Sequence, residues 1–358
     1  MTMKAARFHA RRDIRVESLP DPPERLGAHE VLVRNSLCGI CGTDLHEYVA
    51  GPIFVPQQPH PYSGAKLPLV LGHEFGGRVA AVGDAVTTVK PGDRVSIQPH
   101  IAPRDDYYGV RGQYQLSDSL AIAGLSWAWG GFGEYAVVNS YNAVPIPDEV
   151  TDVQAALVEP AAVAVYAVGR AGVRPGDSVL ITGAGPIGQL VAMAARAAGA
   201  SRILLSDTND NRLGFARGIL EGVIAINPLR DHLGEQVADM TESGVGVDVA
   251  IECAGHSSAL GDCIEAVRRQ GVVVQLGLHV DQASLDAFAL ARKDLDLRGS
   301  WCYSTLMWPR VATLMAGGQL PAEKIVTSKI VLDDIVSEGF EALIAPGSTQ
   351  LKILVDVS

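Results

Sequence analysis

Three polar clusters in this chain carry residue types that can do chemistry. The first reads Cys38-Gly-Ile-Cys41-Gly-Thr43-Asp44-Leu-His46-Glu47, the second Leu71-Gly-His73-Glu74-Phe75, and the third is Glu159, an acid before Pro160 in an otherwise apolar run. Each is ambiguous alone. A Cys-x-x-Cys is either a zinc knuckle or a redox pair, and the sequence holds no second copy to complete a four-thiolate site. A lone histidine such as His73 is more often a satisfied core residue than a ligand. Glu159 is harder to set aside, because a carboxylate inside an apolar segment needs a cation or hydrogen-bond donors. Together, a thiolate, an imidazole and one or two carboxylates make an open zinc site, catalytic because one ligand position is left to water or substrate.

A second constellation reads as a nucleotide site. The strand-length apolar run Ser178–Thr182 feeds into Gly183-Ala-Gly185-Pro-Ile187-Gly188, which opens an apolar helix. In such a turn the first glycine permits the bend, the second lets backbone approach a pyrophosphate, and the third lets helix and strand pack closely. The motif alone is weak, but a second strand over 203–206 ends at Asp207, about 20 residues on, where a carboxylate binds ribose hydroxyls. The competing role for Asp207 is a helix N-cap. Its charge would repel a 2′-phosphate, and residues 208–211 hold no cation to offset it, so NAD(H) is expected over NADP(H). Arg212, one step later, either lies against the adenine or is a solvated helix residue.

The elements that must position these groups follow from the punctuation. Up to about residue 155 short strands alternate with Gly and Pro turns; from about 176 to 290 strand-length runs alternate with helical segments over 187–198 and 258–269. That rhythm predicts an α/β chain with a β-rich domain over 1–157, a doubly wound parallel-sheet domain over 158–295, and a tail over 296–358 that returns to the first. With 29 basic against 40 acidic residues the net charge is −11. A surface of that sign disfavours nucleic acid and anionic membranes as partners. At 47% hydrophobic and 19% charged the chain is not disordered. No apolar signal segment opens it, no run of 18 uncharged apolar residues occurs, and five scattered cysteines argue against a disulfide framework. A cytoplasmic protein is expected.

In order and spacing, C-G-I-C-G-T-D-L-H-E, G-H-E, E-P and G-A-G-P-I-G resemble the zinc-dependent medium-chain dehydrogenase/reductase family over essentially the whole chain. The stretch from His46 to Pro56, the phrase from Leu67 to Phe75 and the tail from Glu338 are most similar to its (R,R)-2,3-butanediol and sorbitol dehydrogenase-like members. The resemblance implies a GroES-like catalytic domain, a Rossmann domain with NAD(H) on Gly183, Gly185, Ile187, Gly188, Asp207 and Arg212, and a dimer or tetramer. It implies zinc on Cys41, His73 and Glu159, with Glu74 ligating directly or trading places with water, and Cys38 a packed bystander. Asp44 would orient a ligand, and Thr43 and His46 would form a proton relay.

The activity so implied is interconversion of a secondary alcohol or vicinal diol and its ketone, with 2,3-butanediol, acetoin and diacetyl first. Polyols, cyclic alcohols and L-threonine are alternatives, and a non-catalytic NAD-binding protein is a different class of reading. One departure is plain. Pro103, Asp106, Gly109 and Ser117 stand where many relatives carry four cysteines on a second, structural zinc. One catalytic ion and no structural ion is therefore expected, with the lobe held by packing of Tyr107, Tyr108, Tyr114 and Leu116.

Overall fold

A computed structural model of the chain describes residues 2–279 and 281–358. Two compact units emerge: Met1–Glu159 with Ser304–Ala316 and Val326–Ser358, and Pro160–Tyr303 with Gly317–Ile325. The first begins with the antiparallel pair β1 (Thr2–Ala10) and β2 (Asp13–Pro20), then β3 (Glu30–Gly39), helix α1 (Gly42–Ala50), β4 (Leu69–Val70) and β5 (Glu74–Val82). Next come β6 (Arg94–Ile97), β7 (His100–Ile101), β8 (Ala121–Ile122), β9 (Tyr135–Asn139) and β10 (Ala143–Pro145). Strand β3 is the hub, antiparallel to both β5 and β9. Its period of two sends Val31 and Val33 into the core and Arg34 outward.

Helix α2 (Asp152–Ala171) carries Glu159 and, inside it, Pro160. Among the described residues it is the one helix long and apolar enough to cross a membrane, yet 72% of its apolar window is buried inside the protein, as in a core helix.

The second unit alternates strand and helix: β11 (Ser178–Thr182), α3 (Pro186–Ala197), β12 (Arg202–Ser206), α4 (Asp210–Ile219), β13 (Ile224–Ile226), α5 (Leu233–Met240), β14 (Val247–Glu252), α6 (Ser257–Ala266), β15 (Val267–Gln275), α7 (Ala287–Lys293) and β16 (Asp296–Gly299). All pairings in its six-stranded sheet are parallel, in the order β13-β12-β11-β14-β15-β16. Numbered within the sheet that is 3-2-1-4-5-6, the doubly wound arrangement whose order reverses between β11 and β14. The predicted helix over 258–269 stops at Ala266. Val267, fully buried, instead pairs with Val247, and Arg268 donates to Asp248 at 2.8 Å, so the chain is already in the sheet.

After α8 (Trp308–Ala316), β17 (Val326–Val331) and β18 (Lys352–Asp356) pair in parallel, and β18 lies antiparallel to β3. This register sets Leu354 against Gly39 and Gly39 against Glu74, bringing the end of the chain to the histidine-glutamate cluster.

The aromatic packing predicted for the 103–117 lobe is present in part: Tyr107 and Tyr108 meet edge-on at 5.1 Å between ring centroids, and Tyr114 meets Tyr141 at 5.5 Å. Tyr107 is 67% and Leu116 40% exposed, Tyr108 is half-buried, and of the four only Tyr114 is buried. A carboxylate also closes the lobe. Asp106 accepts from the Gly109 N–H and the Ser117 hydroxyl, each at 2.5 Å. A side chain on Gly109 would strike the Pro103 carbonyl at 2.0 Å. The Ser117 hydroxyl first, then the Gly109 amide, hold Asp106 below its usual 3.8. A depressed folded-state pKa means this contact contributes at neutral pH and is lost as pH falls below about 4. Protease cleavage within residues 103–117 should therefore rise steeply below that pH, and in Asp106→Asn it should already be fast at pH 7.

Candidate active site

Cys41 is the N-cap of α1, and the Asp44 carboxylate reaches back to accept its N–H at 2.9 Å, a capping-box contact that fixes the first turn. Asp44 has no exposed surface, and its other oxygen lies 3.5 Å from His73 Nδ1. Neither of those two atoms has another hydrogen-bond partner. One turn on, the buried Glu47 plays a different part, its carboxylate accepting from the amides of Ile53, Phe54 and Val55 and tying down the loop after the helix. Thr43 Oγ1 is 3.8 Å from Cys41 Sγ, and His46, three residues further along the same helical face, is exposed.

The entry to strand β5 brings His73, just before it, and the fully buried Glu74, its first residue, to this helix end. Ligand atoms of Cys41, His73 and Glu74 all lie within 4.8 Å of one another. Glu159 is outside that trio. Burial works against a charged imidazole, but Asp44 and then the Cys41 sulfur outweigh it and hold His73 well above its usual range. Burial first, and His73 second, push His100 down to about 3, so it stays neutral at pH 7. A sulfur, an imidazole and a carboxylate converging in a mainly anionic enclosure is the donor set that zinc takes, and the residues present fit it.

Sequence reasoning missed the cation beside them. Lys352, 2% exposed, donates to both Glu74 oxygens at 2.8 and 2.7 Å and to the Ile40 carbonyl at 2.9 Å, so all three of its protons are used. Burial alone would lower its pKa; Glu74 foremost, then Cys41 and Glu159, raise it. Gly39 makes room for the pair, since a Cβ there would stand 2.1 Å from Glu74 Oε2. The available signal was a lone lysine in the apolar strand Lys352–Asp356, which needs an anion once buried.

In the second unit, Gly183 has φ +96°, and Gly188 is obligatory because a Cβ there would lie 1.8 Å from the Gly183 carbonyl. Gly185, the N-cap of α3, is different: a Cβ there meets nothing within 4 Å, so no packing demands a glycine. The open space beside a helix N-terminus is a cradle that fits a pyrophosphate. Ile187 is half-buried in the first turn. Asp207 is not the cap of the next helix; Asn209 is. Asp207 accepts from the Ala184 and Asn209 amides, both at 2.7 Å. The first turn of α4 brings Arg212 within 3.8 Å of Asp207, so the cation missing from residues 208–211 is supplied just beyond them.

Comparison with known proteins bears on the family and the fold. Residues 27–148 match the alcohol dehydrogenase GroES-like domain and residues 186–317 the zinc-binding dehydrogenase domain. The chain is 40% identical over 355 residues to an (R,R)-butanediol dehydrogenase of Bacillus subtilis, covering 99% of both. The chain belongs to the zinc-dependent medium-chain dehydrogenase family. A crystal structure of 2R,3R-butanediol dehydrogenase from Bacillus subtilis superposes with a TM-score of 0.92 at 39% identity, covering 99% of each chain. A mouse sorbitol dehydrogenase is 32% identical, over 97% of this chain and 94% of its own. This medium-chain dehydrogenase is thus an oxidoreductase acting on CH–OH groups, with a GroES-like and a Rossmann domain. Its Cys38 is fully buried, and burial pushes that thiol well up; side chains at Gly72 or Gly131 would strike its sulfur at 2.7 and 2.5 Å. Such an enclosed thiol is inert.

Proposed function

We propose that this dehydrogenase uses one zinc ion and NAD(H) to interconvert 2,3-butanediol with acetoin, and acetoin with diacetyl. The observation that carries the reading is that the Cys41 sulfur and an imidazole nitrogen of His73, the two ligands shared by either carboxylate choice, lie within 4.8 Å of each other and of Glu74 at the start of α1. The subgroup is supported by the full-length similarity to (R,R)-butanediol dehydrogenases. Cys41, His73 and Glu159 would hold the ion. Glu74 would reach it only by loosening its contact with Lys352. When bound, zinc supplies Lewis acidity to the reacting oxygen, and the nicotinamide supplies the hydride chemistry. The Thr43 hydroxyl would accept the alcohol proton as it gives up its own, which the exposed His46 would take up and release to solvent. Gly183, Gly185, Ile187 and Gly188 receive the pyrophosphate, and Asp207 the adenosine ribose.

One ion per chain is supported by the 103–117 lobe, where Asp106 already joins Gly109 and Ser117. A cytoplasmic location fits five cysteines outside any disulfide and a net charge of −11, and the assembly in this reading is a homo-oligomer, dimer or tetramer. Neither nucleic acid nor membrane is a partner in this reading.

The test is an NADH-consumption panel over acetoin, diacetyl, fructose and cyclic ketones, with threonine and sorbitol run oxidatively, alongside elemental analysis. Acetoin should be preferred and about one zinc per chain found; a metal-free active protein would overturn the reading. Asp207→Ala should raise the NADH Kd about 10- to 100-fold in a fluorescence titration, the loss of charge-assisted bonds, and should narrow the preference for NADH over NADPH.

A further inference from the structure

The last residue of β14, Glu252, has no exposed surface, and neither proposed site uses it. Its Oε1 accepts from the amides of Ala254 and Gly255, both at 2.7 Å. Its Oε2 accepts from Gln275 Nε2 at 2.7 Å and lies 3.4 Å from His279 Nε2, an atom with no hydrogen-bond partner. One carboxylate therefore grips two turns, the exit of β14 over 253–255 and the exit of β15 over 276–279. Backbone joins them too, since the Leu276 and Gly277 amides donate to the Glu252 carbonyl at 3.0 and 2.9 Å.

The fit between these turns is close. A Cβ on Gly277 would stand 2.3 Å from the Gly255 nitrogen and 2.6 Å from Glu252 Oε2; one on Gly255, at φ +68°, would strike the Leu278 carbonyl at 2.4 Å. The first turn also backs the glycine-rich loop, because a Cβ on Gly183 would lie 2.9 Å from the Ala254 nitrogen, and the Cys253 amide donates to the Thr182 carbonyl at 2.8 Å. Ligands of a doubly wound sheet bind outside the carboxyl ends of the strands, at the reversal of order, with one mononucleotide to each half. Strand β14 begins the second half and stands at that reversal.

We propose that Glu252 is a positioning residue for the nicotinamide mononucleotide half of the cofactor. It acts through the 253–255 and 276–279 turns and leaves the adenosine half, set by Asp207, untouched. A buried acid at a strand end is costly to keep without purpose, since its desolvation must be offset by several donors; here those donors belong to the two turns that border the crevice. The inference rests on the NAD(H) reading above.

The experiment compares NADH and AMP binding by fluorescence and calorimetric titration in wild type and Glu252→Gln. The amide keeps the shape but has only one acceptor oxygen, so its NH2 must face a donor, either Gln275 Nε2 or the Ala254 and Gly255 amides. NADH Kd should rise roughly 10- to 100-fold, with AMP Kd changed by less than about twofold and the Michaelis constant for NAD rising more than kcat falls. If the variant does not fold, Gln275→Ala removes one donor to the same carboxylate and should raise the NADH Kd about 3- to 10-fold, again sparing AMP. Unchanged NADH affinity, or equal losses of NADH and AMP, would overturn the inference. Wild-type protein that bound neither nucleotide would instead overturn the NAD(H) reading, and this inference with it.

Discussion

Cys41→Ser is expected to lower turnover at least about 1,000-fold, because a Lewis acid worth several kcal/mol of transition-state stabilisation is lost with the ion. Zinc content should fall from about one per chain to a small fraction of that. NADH affinity should stay within about twofold of wild type, since Gly183, Gly185 and Asp207 belong to the other compact unit. Cys38→Ser is the paired control. That thiol is enclosed by Gly72 and Gly131 and is not one of the trio, so its replacement should affect stability and leave the metal content unchanged. Equal zinc and equal turnover in Cys41→Ser would remove the thiolate from the proposed site.

Lys352→Met should produce the largest loss of stability. The lysine and Glu74 are 2% and 1% exposed, and removing one partner strands the other as an unpaired buried charge. Breaking such a pair costs about 3–5 kcal/mol. The loss should be measured by urea unfolding of the chelated protein, because bound zinc would give the stranded carboxylate another partner. A second change, Glu74→Gln, should recover a good part of it, the non-additivity expected of contacting groups. A single-variant loss under about 1 kcal/mol would mean that water or another group satisfies Glu74.

The parallel sheet was legible because its central strands are buried on both faces. Ser178–Thr182 and Val247–Glu252 are short, mainly apolar runs with glycine turns beyond them, and their bounds could be read directly. The end of α6 could not be read. The helical spacing of apolar residues (Leu260, Ile264, Val267) continues past Ala266, and only the pairing of Val267 with Val247 and the Arg268–Asp248 ion pair, both about 20 residues apart, decide where helix gives way to strand. Metal-ligand residue types stood out at Cys41, His73 and Glu74. Lys352 did not, because its partner is 278 residues away and the strand register that joins them is invisible to local pattern. Asp106 was hidden for a different reason. Its position was noted for the thiol it lacks, and the hydrogen bonds it makes instead to Gly109 and Ser117 depend on how the loop folds back.

X-ray absorption at the zinc edge of the purified protein tests the central claim most directly. A single ion with one sulfur at about 2.3 Å and its remaining ligands nitrogen or oxygen at about 2.0–2.2 Å is the expected shell, and the sulfur should vanish in Cys41→Ser. A shell of several sulfurs, or protein that turns over acetoin with no zinc at all, would contradict it.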